Sequence, residues 1–265
     1  LALARPQSGI KGEEVTTEGI DIILSVDVSG SMRAEDFKPR NRLHVAKQVI
    51  AEFIKGRRSD RIGMVVFAGR SFTQCPLTLD YNVLLGLLEE IKIGLIEDGT
   101  AIGMGIAGAV NRLRQSKAKS KVVVLLTDGV NNTGAIDPIT AARAAKAFDV
   151  KIYAVGVGKE GGAPIPVDDP VFGRTYARNR DGSLVLTEID ESTLKEIADI
   201  TGGAYFRATS TETLSDIYKR IDQLERTEIK TIEYTRYHEL FMYFLLPKLF
   251  GGHRPEPRFQ FYPSE

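Results

Sequence analysis

Four apolar runs along the chain predict buried strands. They are rich in valine and isoleucine and lie at Ile20–Val26, Ile62–Phe67, Lys121–Leu126 and Val150–Val155. Each run is almost continuously apolar, which is typical of strands that a parallel sheet buries on both faces.

Segments with helical spacing lie between these runs. One apolar stripe consists of Leu43, Ala46, Val49, Ile50 and Phe53, and a second consists of Ile102, Ile106, Val110 and Leu113. Residues at this spacing share one face of a helix, so each stripe predicts a helix that buries one side.

Capping residues and periodicity predict three more helices. One begins at Pro138, which the first helical position tolerates, with Asp137 as a candidate N-cap. A second covers Glu191–Ile200 and ends at the Gly202-Gly203 pair, since glycine is favoured at a C-cap. The third lies near Thr213–Glu225.

Strand and helix alternation predicts the fold class. We expect an α/β domain with a Rossmann-like, doubly wound, mainly parallel sheet flanked by helices, over residues 18–225. A stretch rich in glycine and proline interrupts the alternation near 161–187. Asp181-Gly182 within it is a hairpin turn signal, so two short polar strands around this turn are predicted as an inserted β-hairpin.

The flanking segments are expected to be a short N-terminal extension (1–17) and a C-terminal tail (226–265). In the tail, Leu240–Leu246 provides seven consecutive apolar residues, fewer than the roughly 20 that a membrane-spanning helix requires. The tail is therefore interpreted either as the remainder of a truncated membrane helix or as a docking segment. Residues 251–265 are interpreted as a natural tail or a vector remnant.

Composition narrows the classes of partner. Lys plus Arg and Asp plus Glu each number 35, so the formal net charge is zero. No global positive field exists to attract nucleic acid or an anionic membrane, so nucleic acid is not an expected ligand. The single cysteine, Cys75, excludes an intrachain disulfide and a cysteine-rich zinc site, and it leaves the cellular compartment open.

Oxygen-bearing side chains follow two predicted strands and precede a predicted helix: Asp27, Ser29, Ser31, Asp128 and Thr100. Sheets of this type bind ligands outside the carboxyl ends of their strands. Mg²⁺ prefers six oxygen ligands, and a dication neutralises two carboxylates that otherwise repel one another. These residues are therefore candidate ligands of one divalent cation, Mg²⁺ first, with Mn²⁺ or Ca²⁺ as alternatives.

The segment Asp27-Val28-Ser29-Gly30-Ser31, together with Thr100 and Asp128, resembles the metal-ion-dependent adhesion site of von Willebrand factor A (VWA) domains. The resemblance covers about residues 18–225 and implies a VWA fold, in which one edge strand of the mainly parallel sheet is antiparallel. It also implies that the two serines and Thr100 bind the cation directly and that the two aspartates bind it directly or through water. One coordination position is then open to an Asp or Glu of a protein partner.

Shorter motifs resemble the membrane-anchored bacterial aerotolerance (Bat) group of that family: Ser31-Met32, Arg58–Gly63, Phe72–Thr78 and Gly99–Gly103. This resemblance implies association with the bacterial inner membrane through flanking segments absent from this chain, with the domain in the periplasm or the cytoplasm. It also implies partnership with a MoxR-type AAA+ ATPase and other Bat-type proteins in a stress or assembly system.

Other motifs favour structural roles. Gly156–Gly161 matches the sequence pattern of a dinucleotide-binding motif, which must be followed by a helix. A loop is predicted to follow it instead, so this motif is not expected to bind a dinucleotide. Gly103–Gly108 matches the same sequence pattern but lies inside a predicted helix, where its glycines are expected to permit close packing on the sheet. Arg174, Arg178 and Arg180 are expected on a solvated hairpin face, with contact to an anion or a partner as the alternative.

The sequence favours a metal-dependent protein-interaction module over an enzyme, because no nucleophile or acid/base set accompanies the candidate ligands. One alternative is a non-catalytic subunit of a metal-chelatase-like complex coupled to an AAA+ motor. A third hypothesis is a structural domain whose cation only holds the loops together.

Overall fold

The computed structural model describes residues 7–12, 19–169, 173–227 and 234–239. The chain separates into two units, one comprising residues 17–229 and the other comprising 1–16 together with 230–265. The apolar segment Leu240–Leu246 and the terminal residues 251–265 lie outside the described residues. The expectations stated for them therefore stay predictions.

The strands of the described residues, in chain order, are β1 (Gln7–Gly12), β2 (Asp21–Asp27), β3 (Arg61–Phe67), β4 (Ser71–Thr78), β5 (Lys121–Thr127), β6 (Val150–Val157), β7 (Pro166–Asp169), β8 (Gly173–Tyr176), β9 (Tyr205–Ala208) and β10 (Tyr234–Glu239). Among the described residues of the larger unit, six strands form one sheet in the order β4-β3-β2-β5-β6-β9. Neighbouring strands are parallel except β4, which pairs antiparallel with β3 at one edge. The predicted mainly parallel sheet with one antiparallel edge strand is confirmed.

The helices are α1 (Arg42–Lys55), α2 (Tyr81–Glu89), α3 (Ile102–Leu113), α4 (Pro138–Ala147), α5 (Glu191–Thr201) and α6 (Thr211–Thr227), and a 3₁₀ turn covers Gly30–Arg33. Asp137 caps α4 because its side chain accepts a hydrogen bond from the backbone N–H of Thr140 at 2.9 Å. Gly202 closes α5 in the left-handed conformation, with a φ of 73°. Both predicted caps are confirmed.

The core has two layers, one on each face of the sheet. On one face α1, α2 and α6 pack against alternate residues of β2, represented by Leu24 and Val26. On the opposite face α3, α4 and α5 pack against Ile23 and the matching residues of β5 and β6. Because successive residues of a strand point to opposite faces, burial of both sets produces the continuous apolar runs of the sequence.

The inserted hairpin is present and the chain turns at Asp181-Gly182 as predicted, but the two-stranded ladder lies before that turn rather than around it. β7 and β8 pair antiparallel, and both precede Asp181-Gly182. In the turn, Gly182 N–H donates to the carbonyl of Asn179 at 3.0 Å, and Asn179 N–H donates to the carbonyl of Ser183 at 2.8 Å. The residues on either side of it pair through an isolated bridge between Arg178 and Leu184. The side chains of residues 178–184 are exposed, so a longer ladder around this turn would bury little apolar surface.

The second unit contains a pairing that the sequence did not predict. β1 and β10 pair antiparallel, with Gln7 opposite Glu239 and Gly12 opposite Tyr234. Segments predicted as a separate extension and tail thus form one two-stranded sheet. None of the described helices combines the length and the apolarity that crossing a bilayer demands.

Candidate metal centre

The predicted ligands lie where the two central strands of the sheet end. β2 pairs with β3 on one side and with β5 on the other, so the direction in which the sheet is built changes at β2. Such a switch point leaves a crevice at the carboxyl ends of the strands. Asp27 is the last residue of β2, Asp128 directly follows β5, and both are fully buried.

Hydroxyl groups join the two carboxylates. Ser31 Oγ donates to Asp128 Oδ1 at 2.6 Å and lies 2.9 Å from Ser29 Oγ. Asp27 is held from both sides, because its Oδ1 accepts from Ser29 N–H at 2.9 Å and its Oδ2 accepts from Thr127 Oγ1 at 2.6 Å. Four of the predicted ligands are therefore in one hydrogen-bonded cluster, which also includes Thr127, a residue that the sequence analysis did not select.

Thr100 reaches the same centre from the loop before α3. A Cβ on Gly129, the neighbour of Asp128, would lie 3.1 Å from Thr100 Oγ1, so this hydroxyl lies against the end of β5. Two asparagines hold the loop: Asn132 Oδ1 accepts from Thr100 N–H and Asn131 Oδ1 accepts from Ile102 N–H, each at 2.9 Å. Asn131 thereby satisfies an N–H at the start of α3, whose own N-cap residue is an alanine.

Asp98 connects the loop after β2, which contains Ser29 and Ser31, with the loop before α3, which contains Thr100. Its Oδ1 accepts from Gly30 N–H at 2.8 Å, and a Cβ on Gly30 would lie only 2.9 Å from its Oδ2. A side chain at position 30 would therefore displace the carboxylate of Asp98, which is the end of an exposed side chain, and would disturb its hydrogen bond to Gly30 N–H.

Arg42 is a member of this centre that the sequence analysis missed. Its side chain is fully buried, and its Nη1 donates to Asp128 Oδ2 at 2.8 Å. It also forms a two-pronged ion pair with Asp36, at 2.7 and 2.5 Å, and donates to Thr187 Oγ1 at 3.0 Å. One guanidinium thus links the end of β5, the loop before α1 and the base of the inserted hairpin.

Burial sets the protonation of the two central carboxyls. Burial first, and the charge of Asp128 second, raise the pKa of Asp27 to about 7, although hydrogen bonds from Ser29 and Thr127 act in the opposite direction. Burial also raises the pKa of Asp128, against the opposing charge of Arg42. Without a further positive charge, the centre therefore disfavours the state in which both carboxyls are ionised.

The donor set fits a hard divalent cation. Its atoms are carboxylate and hydroxyl oxygens, which suit Mg²⁺, Mn²⁺ or Ca²⁺ better than a soft metal. In the part of the chain that the structure describes, no cluster of three or more His, Cys, Asp or Glu side chains is suited to hold a metal. A cation at this centre would therefore depend on the serine and threonine hydroxyls as well as on Asp27 and Asp128.

Residues 21–220 match the von Willebrand factor type A domain family. The chain belongs to this family. The matched span begins with the first residue of β2 and ends within α6, so this VWA domain includes the whole six-stranded sheet and the centre at its carboxyl edge. VWA domains are generally interaction modules.

Several similar proteins come from bacteria. An uncharacterized protein of Borreliella burgdorferi is 34% identical over 207 residues, which cover 78% of this chain and 59% of that protein. The chain thus spans less than two thirds of that relative's length. Two solved structures share the VWA fold with 33% and 35% identity and TM-scores of 0.70 and 0.69: an aerotolerance-related membrane protein from Bacteroides fragilis and the conserved hypothetical protein BatB from Bacteroides thetaiotaomicron. They cover 79% and 78% of this chain, and each match includes 100% of the solved chain.

Proposed function

We propose that this VWA domain, over residues 18–225, is a metal-dependent protein-interaction module. In this proposal one divalent cation, Mg²⁺ first, is held by Asp27, Ser29, Ser31, Thr100 and Asp128. The observation that carries it is the convergence of two fully buried carboxylates and a set of hydroxyl oxygens at the switch point of the sheet. An Asp or Glu of a protein partner would complete the coordination.

Charge balance supports a dication. Asp27 and Asp128 are fully buried, Asp36 is partly buried, and all three lie around a single buried cation, Arg42. With all carboxyls ionised these groups carry a charge of −2. Buried charges are costly unless they are neutralised. One divalent cation would bring the sum to zero and offset both the burial and the charge of Asp128, which together raise the pKa of Asp27.

The surroundings of the carboxylates favour binding over catalysis. Both oxygens of Asp27 accept hydrogen bonds, and no part of the residue is exposed, so a substrate would find no accessible base there. The neighbouring groups are hydroxyls and Arg42, which does not act as a base at neutral pH. A small cation can bind among these oxygens, whereas a larger substrate cannot.

Calorimetric titration with Mg²⁺ and Mn²⁺ tests the metal site. Asp27→Asn keeps the size of the side chain and removes its charge, and we expect it to weaken cation binding at least about tenfold, since a ligand charge is lost. Asp21→Asn is the matched control, because Asp21 is also buried but begins β2, at the opposite edge of the sheet. Equal cation affinity of the two variants would contradict the proposal.

The setting and the partner form a finer part of the proposal. Similarity to an aerotolerance-related membrane protein supports association with the bacterial inner membrane and with Bat-type proteins. The resemblance of the short motifs to that group supports a MoxR-type AAA+ ATPase as partner. A pull-down with a purified MoxR-type ATPase, in Mg²⁺ and in chelator, tests this pairing, and capture that is equal in both conditions would argue against a carboxylate–metal bridge.

A further inference from the structure

The carboxylate of Asp27 has one oxygen toward the serine loop and one toward the end of β5. Its Oδ1 accepts from Ser29 N–H at 2.9 Å, and its Oδ2 accepts from Thr127 Oγ1 at 2.6 Å. Thr127 Oγ1 in turn accepts from Gly129 N–H at 3.3 Å, which leaves the hydroxyl hydrogen for Asp27. Asp27 and Thr127 are both fully buried, so bulk water does not compete for this contact. Thr127, which is outside the proposed ligand set, therefore fixes the orientation of this carboxylate.

Asp128 is held in the same manner. Its Oδ1 accepts from Ser31 Oγ at 2.6 Å, whereas its Oδ2 accepts from Arg42 Nη1 at 2.8 Å. Arg42 is itself fixed, because its Nε and Nη2 bind the two oxygens of Asp36 at 2.7 and 2.5 Å, and its Nη2 also donates to Thr187 Oγ1 at 3.0 Å. The carboxylate of Asp128 cannot turn without breaking its ion pair with this fully buried guanidinium.

The positions of these donors limit how each aspartate can bind a cation. Coordination through both oxygens of a carboxylate requires both to face the same ion. A cation on Asp128 Oδ2 would share that oxygen with the positive guanidinium of Arg42, and the two like charges repel strongly in a buried centre. A cation on Asp27 Oδ2 would have to displace the hydroxyl hydrogen of Thr127. Oδ1 is therefore the oxygen that each aspartate can offer while these contacts persist.

We propose that Thr127 and Arg42 are positioning residues that restrict each aspartate to a single oxygen toward the cation, and that the centre thereby discriminates against Ca²⁺. This inference rests on the proposed function, because it concerns the cation of the same site. Ca²⁺ takes about six to eight oxygens and often binds a carboxylate through both, whereas Mg²⁺ takes about six in a near-octahedral array. Five ligands that give one oxygen each, with one from a partner, satisfy Mg²⁺ and leave Ca²⁺ short of oxygens.

Titration calorimetry of the full chain with Mg²⁺ and with Ca²⁺ tests this selection. We expect Thr127→Val, which removes the hydroxyl and keeps a side chain of similar shape, to change the ratio of the two dissociation constants by at least about tenfold in favour of Ca²⁺, since Asp27 can then use both oxygens. Thr127→Ser keeps a hydroxyl and should restore the wild-type ratio. Thr201→Val is the matched control: Thr201 is also buried and accepts from Ile152 N–H at 3.1 Å, but it ends α5.

Arg42→Lys provides a second test. A lysine keeps the positive charge but lacks the planar fork with which Arg42 binds Asp36 and Asp128 together. We expect the ratio of the two dissociation constants to shift toward Ca²⁺ here also, because Asp128 Oδ2 is no longer held. Urea unfolding shows whether this variant is folded, and the Thr127 variants decide the question if it is not.

The ratio of affinities separates failure of this inference from failure of the metal site. If Thr127→Val weakens Mg²⁺ and Ca²⁺ binding in equal proportion, or leaves both unchanged as in Thr201→Val, the positioning role is overturned and the metal site stands. A wild type that binds Ca²⁺ more tightly than Mg²⁺ would also overturn the inference. Absence of binding of either cation to the wild type would overturn both proposals.

Discussion

At the scale of single residues, Arg42 connects parts of the candidate metal centre that lie far apart in the chain. It contacts Asp36, Asp128 and Thr187, and its guanidinium has no exposed surface. A Cβ on Gly158 would lie 2.8 Å from its Nη2, so the chain after β6 also packs closely on it. The positive charge therefore balances two buried carboxylates and ties the base of the hairpin to the centre.

Replacing Arg42 by glutamine is expected to lower the free energy of unfolding by about 3–5 kcal/mol, because buried carboxylates lose their counter-charge. Urea unfolding in chelator measures the loss. Arg70→Gln is the control: Arg70 lies 4.0 Å from Glu97, and both side chains are at least 78% exposed. We expect this control to change stability by less than about 0.5 kcal/mol. Similar losses in the two variants would contradict the role assigned to Arg42.

The sequence revealed the oxygen-bearing residues but not their partners. Asp27 and Asp128 are recognisable because they directly follow apolar strands, a local feature. Arg42 does have a local signal, since it lies three, four and seven residues before Val45, Ala46 and Val49, all on the buried face of α1. A charge on a buried stripe indicates a buried partner, but only the folded chain identifies that partner as Asp128.

At the scale of elements, the glycines of α3 permit a close approach to neighbouring segments. A Cβ at Gly103 would lie 2.0 Å from the carbonyl oxygen of Ile136, and one at Gly105 would lie 2.6 Å from the ring of Phe67. The interpretation of these glycines as packing positions agrees with these contacts. Because α3 begins two residues after Thr100, its position also influences where that hydroxyl lies.

Alanine at position 103 is expected to destabilise the domain by about 1–3 kcal/mol, since the added methyl group would overlap backbone that cannot easily move. Gly86→Ala in α2 is the matched control, because a Cβ there would meet nothing within 4 Å. Alanine is the better helix former, so the control should gain about 0.5–1 kcal/mol. Thermal and urea unfolding of both variants measure the effects, and a gain at position 103 would refute the packing role.

The elements that the sequence missed are short or pair over long distances. β9 has four residues, and its partner β6 ends almost fifty residues earlier in the chain. β1 and β10 pair from opposite ends of the chain. Sequence patterns report on neighbouring residues only. β9 forms because it adds to the edge strand β6, and β1 and β10 form because each supplies the backbone hydrogen-bond partners of the other. At Asp181-Gly182 the local signal predicted the turn correctly, but it did not determine which residues form the two-stranded ladder of the hairpin.

At the scale of the whole molecule, burial of Asp27 couples stability to pH. The carboxyl of Asp27 ionises at about pH 4 in the unfolded chain, whereas in the folded domain its pKa is raised to about 7. Between these values the folded state binds more protons than the unfolded state, so the contribution of this group to stability falls as the pH rises. Ionisation of Asp27 in the folded domain is therefore unfavourable until a positive charge compensates it.

We expect the free energy of unfolding in chelator to fall, relative to Asp27→Asn, as the pH rises from about 4 to the raised pKa of about 7. Excess Mg²⁺ should reverse this relative loss near pH 7, because the cation stabilises the ionised carboxyl, and a concentration of 100 times its dissociation constant adds about 2.7 kcal/mol. Urea unfolding over this pH range, with and without Mg²⁺, checks both effects. Parallel curves for the wild type and Asp27→Asn would contradict them.

The sequence by itself determined the alternation of strands and helices and the positions of the oxygen-bearing residues, because periodicity and strand ends are local properties of the chain. Only the tertiary structure decided that β2 lies beside β5, that Thr127 holds Asp27 across a separation of 100 residues and that Arg42 pairs with Asp128 across 86 residues. The charge and pKa of the centre follow from these contacts, since burial and the distance between charges exist only once the chain has folded.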